Sequence, residues 1–202
     1  FSARARRMMA LLLVALAAIC ALTIGASAAR DRYLTRGLVS GLPEPISHGG
    51  PEFGVNVQLE RYGDELLSST LRDIRATGTD YVKQSFYYTE PFDWAAADRI
   101  VESAAREGLH LVPLLDGNPA TEFAPPADIT AFAAWAGEFA KRYGDSLTHY
   151  IIWDEPNLTS HWGGEPANPA EYAALLSAAA DAIRRADSDA VIVAAPLAPT
   201  TE

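Results

Sequence analysis

Short apolar runs alternate with amphipathic helical stretches from residue 53 onward, and this alternation limits what the chain can fold into. Helices are expected to begin at the capping residues Asp93, Asp128 and Asn168. Strands that alternate with helices form successive βα units around a parallel sheet. The expected strands cover 53–59, 80–88, 109–116, 147–153 and 190–196.

The number of βα units predicts an incomplete (β/α)8 barrel, or TIM barrel. A whole barrel takes about 250 residues, whereas residues 53–202 hold about the first four βα units and strand five. A doubly wound nucleotide-binding sheet is the alternative, but no glycine-rich phosphate loop follows the first strand. Because half a closed sheet leaves open edges, we expect the chain to be an N-terminal fragment of a longer protein.

The N-terminal residues 1–29 are predicted to be a targeting segment. The basic stretch RARR precedes an uncharged stretch at 8–29, which is long enough for a bilayer span of roughly 20 apolar residues. Its end resembles a signal-peptidase site after Ala28. The sequence is consistent with two alternatives, a cleaved signal peptide and an uncleaved membrane anchor. Either one predicts an extracytoplasmic barrel, secreted or anchored to the membrane.

Residues 30–52 are predicted to be a linker, because glycine and proline interrupt any regular period there. The chain as a whole has a net charge of −10, although its first 36 residues hold six arginines and a single acid. The barrel domain, 53–202, is therefore strongly acidic. Such a surface repels nucleic acid, so no nucleic-acid partner is expected.

Carboxylate, amide and aromatic side chains collect at the predicted strand ends, where barrels place their functional groups. They include no cluster of His or Cys, so we expect neither a metal nor another cofactor. Carboxylates beside aromatic rings suit a carbohydrate, because a sugar offers both hydroxyl groups and an apolar C–H face. The strand-end residues are Lys83, Tyr87, Asp116, Asn118, Asp154, Glu155 and Asn157, with His161 and Trp162 in the loop beyond strand four.

Three stretches, YIIWDEPN at 150–157, HWGG at 161–164 and the helix and strand at 168–196, resemble the fourth and fifth βα units of clan A glycoside hydrolases, especially family 39-like and cellulase-like members. The stretch 81–115 resembles their second and third units, and the whole resemblance covers about residues 53–197. It implies retaining hydrolysis of O-glycosidic bonds in an oligo- or polysaccharide or other glycoside. In this mechanism Glu155 is the general acid/base, and the nucleophilic Glu comes from strand seven, outside this chain.

Two residues depart from the family pattern. Asp154 stands where the family has an Asn that binds the substrate hydroxyl, and Asp donates a hydrogen bond only when protonated. Its charge would favour a protonated Glu155 by repulsion. Lys83 stands where an arginine is common and lacks the bidentate fork. The alternative function is therefore a non-catalytic carbohydrate-binding or cell-surface barrel that has lost activity.

The other candidate residues are predicted to bind substrate. Tyr87 contributes if it faces inward, since neighbouring strand residues alternate between faces. His161 and Trp162 are expected to contact the sugar from the loop over the site. Asn157 is a ligand candidate, although Asn also caps loops. Trp153, in contrast, is predicted to pack in the core.

Overall fold

A computed structural model describes residues 3–34 and 52–199, and the chain divides into two units at residue 49. The described part of the first unit is one helix, α1 (Ala3–Leu34). Its segment Ala3–Arg30 is long and apolar enough to cross a membrane, a property that signal sequences share. The predicted linker at 30–52 lies mostly outside the described residues, although α1 extends into its start.

The second unit is a five-stranded parallel sheet whose strands follow one another in chain order. A doubly wound sheet would reverse its strand order, so the arrangement is that of a partial barrel, as predicted. The strands are β1 (Gly54–Val57), β2 (Tyr81–Tyr87), β3 (His110–Asp116), β4 (His149–Ile152) and β5 (Val191–Ala194). The connecting helices are α2 (Asp64–Ala76), α3 (Trp94–Arg106), α4 (Ile129–Tyr143) and α5 (Pro169–Ala186).

Three of the connecting helices begin at the predicted caps. The side chain of Asp93 accepts a hydrogen bond from Ala96 N at 3.0 Å, and Asp128 accepts one from Thr130 N at 2.8 Å. Asn168 accepts from Ala170 N at 3.1 Å. Each cap satisfies a backbone N–H that the first helical turn would otherwise leave unpaired. The caps therefore fix the residue at which each loop after a strand ends and the next helix begins.

The hydrophobic core lies between the sheet and its helices, and strand β2 shows how the two sheet faces differ. Val82 and Phe86 are buried on the helix side, where the Phe86 ring lies 4.9 Å from that of Phe139. Lys83, Ser85 and Tyr87 are half-buried on the opposite, inner face. The inner face therefore carries polar groups toward the carboxyl ends of the strands.

Candidate active site

The candidate site lies at the carboxyl ends of β2, β3 and β4. Beside it, between the end of β1, α2 and β2, lies a cavity of about 480 Å³ whose lining includes Asn56, Lys83, Ser85 and Asp154. Lys83 and Ser85 reach it because they share the inner face of β2, and Asp154 reaches it from the turn after β4. The cavity thus brings together Lys83 and Asp154, two of the predicted site residues.

The turn after β4 has a strained backbone that points adjacent side chains in different directions. Trp153 has φ 72° and Glu155 has φ 43°, which lie in the left-handed region of backbone conformation that residues other than glycine rarely adopt. The turn is held because Trp153 N donates to Leu115 O at 2.9 Å and Glu155 N donates to Pro196 O at 3.1 Å. Such strain persists only where the surroundings hold it, and it concentrates at functional sites.

Asp154 pairs with Lys83. The Lys83 Nζ lies 3.7 Å from Asp154 Oδ1, and the two side chains are 25% and 29% exposed. A pair this accessible to water contributes little to stability. Its effect is local, because Lys83 partly offsets the negative charge of Asp154.

Glu155 lies beside His161. The His161 Nδ1 is 3.4 Å from Glu155 Oε2, and the Glu155 side chain keeps about a third of its surface exposed (32%). The His161 ring meets the edge of the Phe123 ring at 4.8 Å, and the His161 carbonyl accepts a hydrogen bond from Trp153 Nε1 at 3.0 Å. These contacts hold His161 against the carboxyl, so a substrate would meet Glu155 on its open side.

Asp116, at the end of β3, is the buried acid of the site. It is only 3% exposed, and its Oδ1 accepts a hydrogen bond from Gly117 N at 2.8 Å. Burial raises the pKa of Asp116 to about 7, and the charge of Asp154 adds to this rise. The Gly117 N–H, the backbone N–H of Asp154 and the charge of Lys83 act in the opposite direction.

Gly117 lets the two turns approach each other. A Cβ added at this glycine would lie 2.7 Å from an atom of the Trp153 ring. The absence of a side chain therefore allows the indole to pack directly over the end of β3. The turn that carries Glu155 and the residue that follows Asp116 are in contact as a result.

Tyr87 faces the site, and its neighbour Tyr88 does not. Tyr87 is half-buried next to Asp116 in the sheet register, and burial raises the pKa of its hydroxyl. Tyr88 packs on the other side, with its ring 5.6 Å from Phe132 and 5.5 Å from Trp135. One of the two adjacent tyrosines is therefore available to a ligand.

Trp162 is placed differently from its prediction. It is 1% exposed, and its ring lies 5.5 Å from that of Trp153, which is itself fully buried. The loop after β4 folds this indole inward, because an apolar ring of this size gains more from burial than from solvent. Trp162 therefore packs in the interior against Trp153, and its ring has no exposed face that a sugar could contact.

Asn157 is also placed differently from the predicted ligand. Its Nδ2 donates to Ala198 O and its Oδ1 accepts from Ala198 N, each at 2.9 Å. Both polar groups of the side chain are engaged with the segment after β5. Asn157 therefore ties the loop after β4 to the loop after β5.

Phe123 and Tyr172 belong to the site, although the sequence did not identify them. Phe123 lies in the irregular loop after β3 with φ 53°, where no periodic pattern marks it. The Tyr172 hydroxyl donates to Ile152 O at 3.1 Å and accepts from Ala195 N at 2.6 Å. Asp116, in contrast, was identified as a strand-end residue from the sequence, because it ends an apolar run just as Asp154 does.

The described side chains place one carboxyl where it can exchange a proton with a bound molecule. Within residues 3–34 and 52–199, no three His, Cys, Asp or Glu side chains gather in a metal-binding group. Glu155 has its oxygen beside a basic ring and an open side toward solvent. A carboxyl so placed can give a proton to, or take one from, a bound molecule.

Comparison with solved structures finds carbohydrate-active barrels. The chain is similar to a glucosidase from Croceicoccus marinus, with 15% identity, a TM-score of 0.59, and coverage of 76% of this chain and 38% of that one. For the endoglucanase Cel5A of Thermotoga maritima, identity is 20%, the TM-score 0.53 and coverage 71% and 52%. For the endo-1,4-β-mannanase of Rhizomucor miehei, the identity is 15% and the TM-score is 0.56, and the match covers 72% of this chain and 57% of that one.

These neighbours have the TIM-barrel fold of clan A glycoside hydrolases, the group that the sequence motifs resemble. At such identities the likeness establishes the fold, and function must be argued from the site. The chain spans between 38% and 57% of the lengths of these three structures. No protein-family model and no curated protein matches the chain.

Proposed function

We propose that the chain forms the acid/base half of a retaining glycoside hydrolase, which cleaves O-glycosidic bonds in a carbohydrate. The observation that carries the proposal is the strained turn that presents Glu155 at the end of β4, beside His161 and open to solvent on one side. In barrels, catalytic groups lie at this end of the strands. The fold shared with glycoside hydrolases supports the same reaction class.

In the proposed reaction, Glu155 first gives its proton to the leaving glycosidic oxygen. A second carboxylate, expected on strand seven of the complete barrel, attacks the anomeric carbon and forms a glycosyl-enzyme. Glu155, now ionised, takes a proton from water, and the resulting attack releases the sugar with retained configuration. The two carboxyl groups of a retaining enzyme stand about 5–5.5 Å apart.

The neighbouring side chains have supporting roles. Asp154 accepts a hydrogen bond from the hydroxyl next to the reacting carbon, while Lys83 offsets its charge at 3.7 Å. His161 lies beside the Glu155 carboxyl, with its Nδ1 3.4 Å from Oε2 and no hydrogen bond between them. Tyr87 contributes a half-buried aromatic ring with a hydroxyl on the inner face. No cofactor is needed, since the reaction uses only proton transfer and carboxylate attack.

We also propose an extracytoplasmic location for the barrel. The segment Ala3–Arg30 has the length and composition of a membrane span or a signal sequence, and basic residues precede its uncharged part. If this segment is not cleaved, residues 8–29 anchor the protein in the membrane. The substrate would then be an oligo- or polysaccharide outside the cytoplasm.

The test replaces the acid. Glu155→Gln in the full-length protein should lower turnover of glycosides with poor leaving groups by about 10²–10⁴-fold, since protonation contributes this much. Activated aryl glycosides need little protonation, so their first step should persist and the glycosyl-enzyme should accumulate. Glu165→Gln, an exposed change in the same loop, is the matched control. Wild-type rates in Glu155→Gln would refute the acid role.

A second candidate is a non-catalytic carbohydrate-binding barrel. The observation that favours it is Asp154, which replaces the expected amide and lies beside Lys83. This function would be established in place of hydrolysis by two results together. The wild-type protein would bind saccharides without turning over any glycoside, and Glu155→Gln would bind them with unchanged affinity.

A further inference from the structure

A second cavity lies beside the loop that follows β3. Its volume is about 540 Å³, and the loop after β2, the end of β3 and the start of α4 contribute to its lining, through Tyr88, Asn118 and Ala131 among others. It shares no lining residue with the cavity that contains Lys83 and Asp154. Clefts of this size at the carboxyl ends of barrel strands are places where ligands bind. The second cavity is therefore a separate candidate for a binding site.

The loop after β3 contributes both to the candidate active site and to this cavity. The Phe123 ring lies 4.8 Å from that of His161 and 6.1 Å from that of Tyr87, and both of these belong to the active site. Ala124, the next residue, lines the cavity. Glu155 is not among the described lining residues. A molecule in the cavity would therefore lie next to the active site without contacting its acid.

Part of the cavity lining is apolar and offers ring surfaces. Pro125 and Pro126 are half-buried there. The half-buried ring of Tyr88 is held in place because it packs 5.6 Å from the Phe132 ring and 5.5 Å from the Trp135 ring. Rings that are already fixed lose little conformational freedom when a ligand covers them. They suit a ligand with an apolar surface, such as the C–H face of a pyranose.

Hydrogen-bonding groups stand beside these rings. The Tyr88 hydroxyl donates to Glu90 Oε1 at 2.7 Å, and the other oxygen of that carboxylate has no partner among the described residues. Asn118 Oδ1 accepts from Ala120 N at 2.9 Å, and its Nδ2 has no partner among the same residues. A carboxylate oxygen accepts a hydrogen bond from a sugar hydroxyl, and an amide N–H donates one to it. The cavity therefore offers a sugar both an acceptor and a donor.

The charged groups in the cavity lining are carboxylates. Glu90 and Asp128 are both exposed, and no basic side chain accompanies them among the described lining residues. Asp128 is already engaged by Thr130, through its backbone N at 2.8 Å and its hydroxyl at 2.6 Å. Two negative charges repel an acidic sugar, whereas a neutral sugar meets no such repulsion.

We propose that this cavity is a second binding site, and that its ligand is a neutral oligo- or polysaccharide. The inference goes beyond the proposed hydrolysis, because binding in the cavity uses neither Glu155 nor a second carboxylate nucleophile. A polymer held there would stay on the barrel surface while another part of the same chain reaches Glu155.

The experiment titrates ¹⁵N-labelled, full-length Glu155→Gln protein with cellohexaose and with mannohexaose, two neutral hexasaccharides. At least one sugar should shift the backbone amide signals of Asn118 and Ala131, which report on the cavity apart from the active site. Ala127→Trp fills the cavity from an exposed lining position and should weaken this binding by about tenfold or more, because the added ring occupies the space of the sugar. Ala173→Trp, an exposed change on α5, is the matched control and should bind like the parent protein.

Tyr88→Phe tests the site even if Ala127→Trp does not fold. It keeps the packed ring and removes the hydroxyl, so binding should weaken by about twofold to tenfold, the effect of one hydrogen bond. A hexagalacturonate should bind the cavity more weakly than the neutral sugars do, because its carboxylates meet Glu90 and Asp128.

Three results would overturn the proposal. They are no shift of the lining signals with either neutral sugar, unchanged binding in folded Ala127→Trp or, failing that variant, in Tyr88→Phe, and hexagalacturonate binding as tight as that of the neutral sugars. With Glu155 intact, Ala127→Trp and Tyr88→Phe should keep the wild-type rate on an aryl monoglycoside. Absence of turnover in the wild type would refute the proposed hydrolysis alone, since binding to the cavity is measured without it.

Discussion

Asp154 and Glu155 are adjacent in the sequence, yet their carboxyl groups lie beside different basic side chains. Asp154 Oδ1 is 3.7 Å from Lys83 Nζ, whereas Glu155 Oε2 is 3.4 Å from His161 Nδ1. The left-handed backbone of Trp153 and Glu155 separates the two directions. The two adjacent acids therefore have separate surroundings, and substitutions should affect them separately.

Substitution of Asp154 should distinguish hydrogen bonding from charge. Asp154→Ala removes the proposed acceptor for a substrate hydroxyl, and we expect kcat/KM to fall about 10²–10³-fold, since such contacts supply several kcal/mol in the transition state. Asp154→Asn keeps an acceptor and adds a donor, so at its optimum pH kcat/KM should stay within about tenfold of the wild type. Steady-state kinetics on one glycoside checks both. Equal losses in the two variants would show that the negative charge itself is required.

Substitution of Trp162 should lower stability much more than it changes sugar affinity. The side chain is 1% exposed and packs on Trp153, so Trp162→Ala should cost about 3–5 kcal/mol in the free energy of unfolding. Trp162→Phe should cost less, because it leaves a smaller cavity. Urea unfolding measures the loss, and KM of the folded Phe variant provides the comparison. A large rise in KM with unchanged stability would return Trp162 to the role of substrate contact.

Substitution of Gly117 tests the contact between the two turns. A Cβ at this position meets the Trp153 ring at 2.7 Å, so Gly117→Ala should destabilise the protein by about 1–3 kcal/mol through overpacking. Gly63→Ala is the control, since a Cβ there meets nothing within 4 Å and the change alters only the N-cap of α2. Thermal unfolding of the two variants checks the difference. Equal effects would mean that the indole moves aside without cost.

The stability of the protein should depend on the ionisation of Asp116. Its pKa is raised from the ordinary 3.8 to about 7, mainly by burial. The folded state therefore binds a proton that the unfolded state has released, so this contribution is complete below about pH 4 and is lost as the pH rises through 7. Asp116→Asn should remove this decline, and unfolding measured between pH 4 and 8 checks it. A decline of equal slope in the variant would assign it to other groups.

The regular part of the fold was predictable from the sequence, because it depends on local patterns. Apolar periodicity identified every strand of the barrel unit, and Asp93, Asp128 and Asn168 cap helices as expected. The alternation along β2 likewise placed Lys83 and Tyr87 on one face. Strand ends were the weakest point, since the expected strand at 53–59 is confined to Gly54–Val57.

The irregular part was not predictable, because it depends on contacts between distant segments. The polar groups of Asn157 are used by Ala198, far along the chain. Trp162 lies in an irregular loop, just before Gly163 and Gly164, whose inward path has no sequence period, so its burial was missed. The proximity of Asp116 to Asp154 arises from the packing of β3 against β4, which the strand pattern implied only in outline.

The hydroxyl of Tyr172 has a consequence for motion. It joins Ile152 O at the end of β4 to Ala195 N just beyond β5, where the ladder between these strands has ended. Splitting the two strand ends apart would break both hydrogen bonds together and would pull on the first turns of α5. The ends of β4 and β5 beneath Glu155 therefore resist being pulled apart.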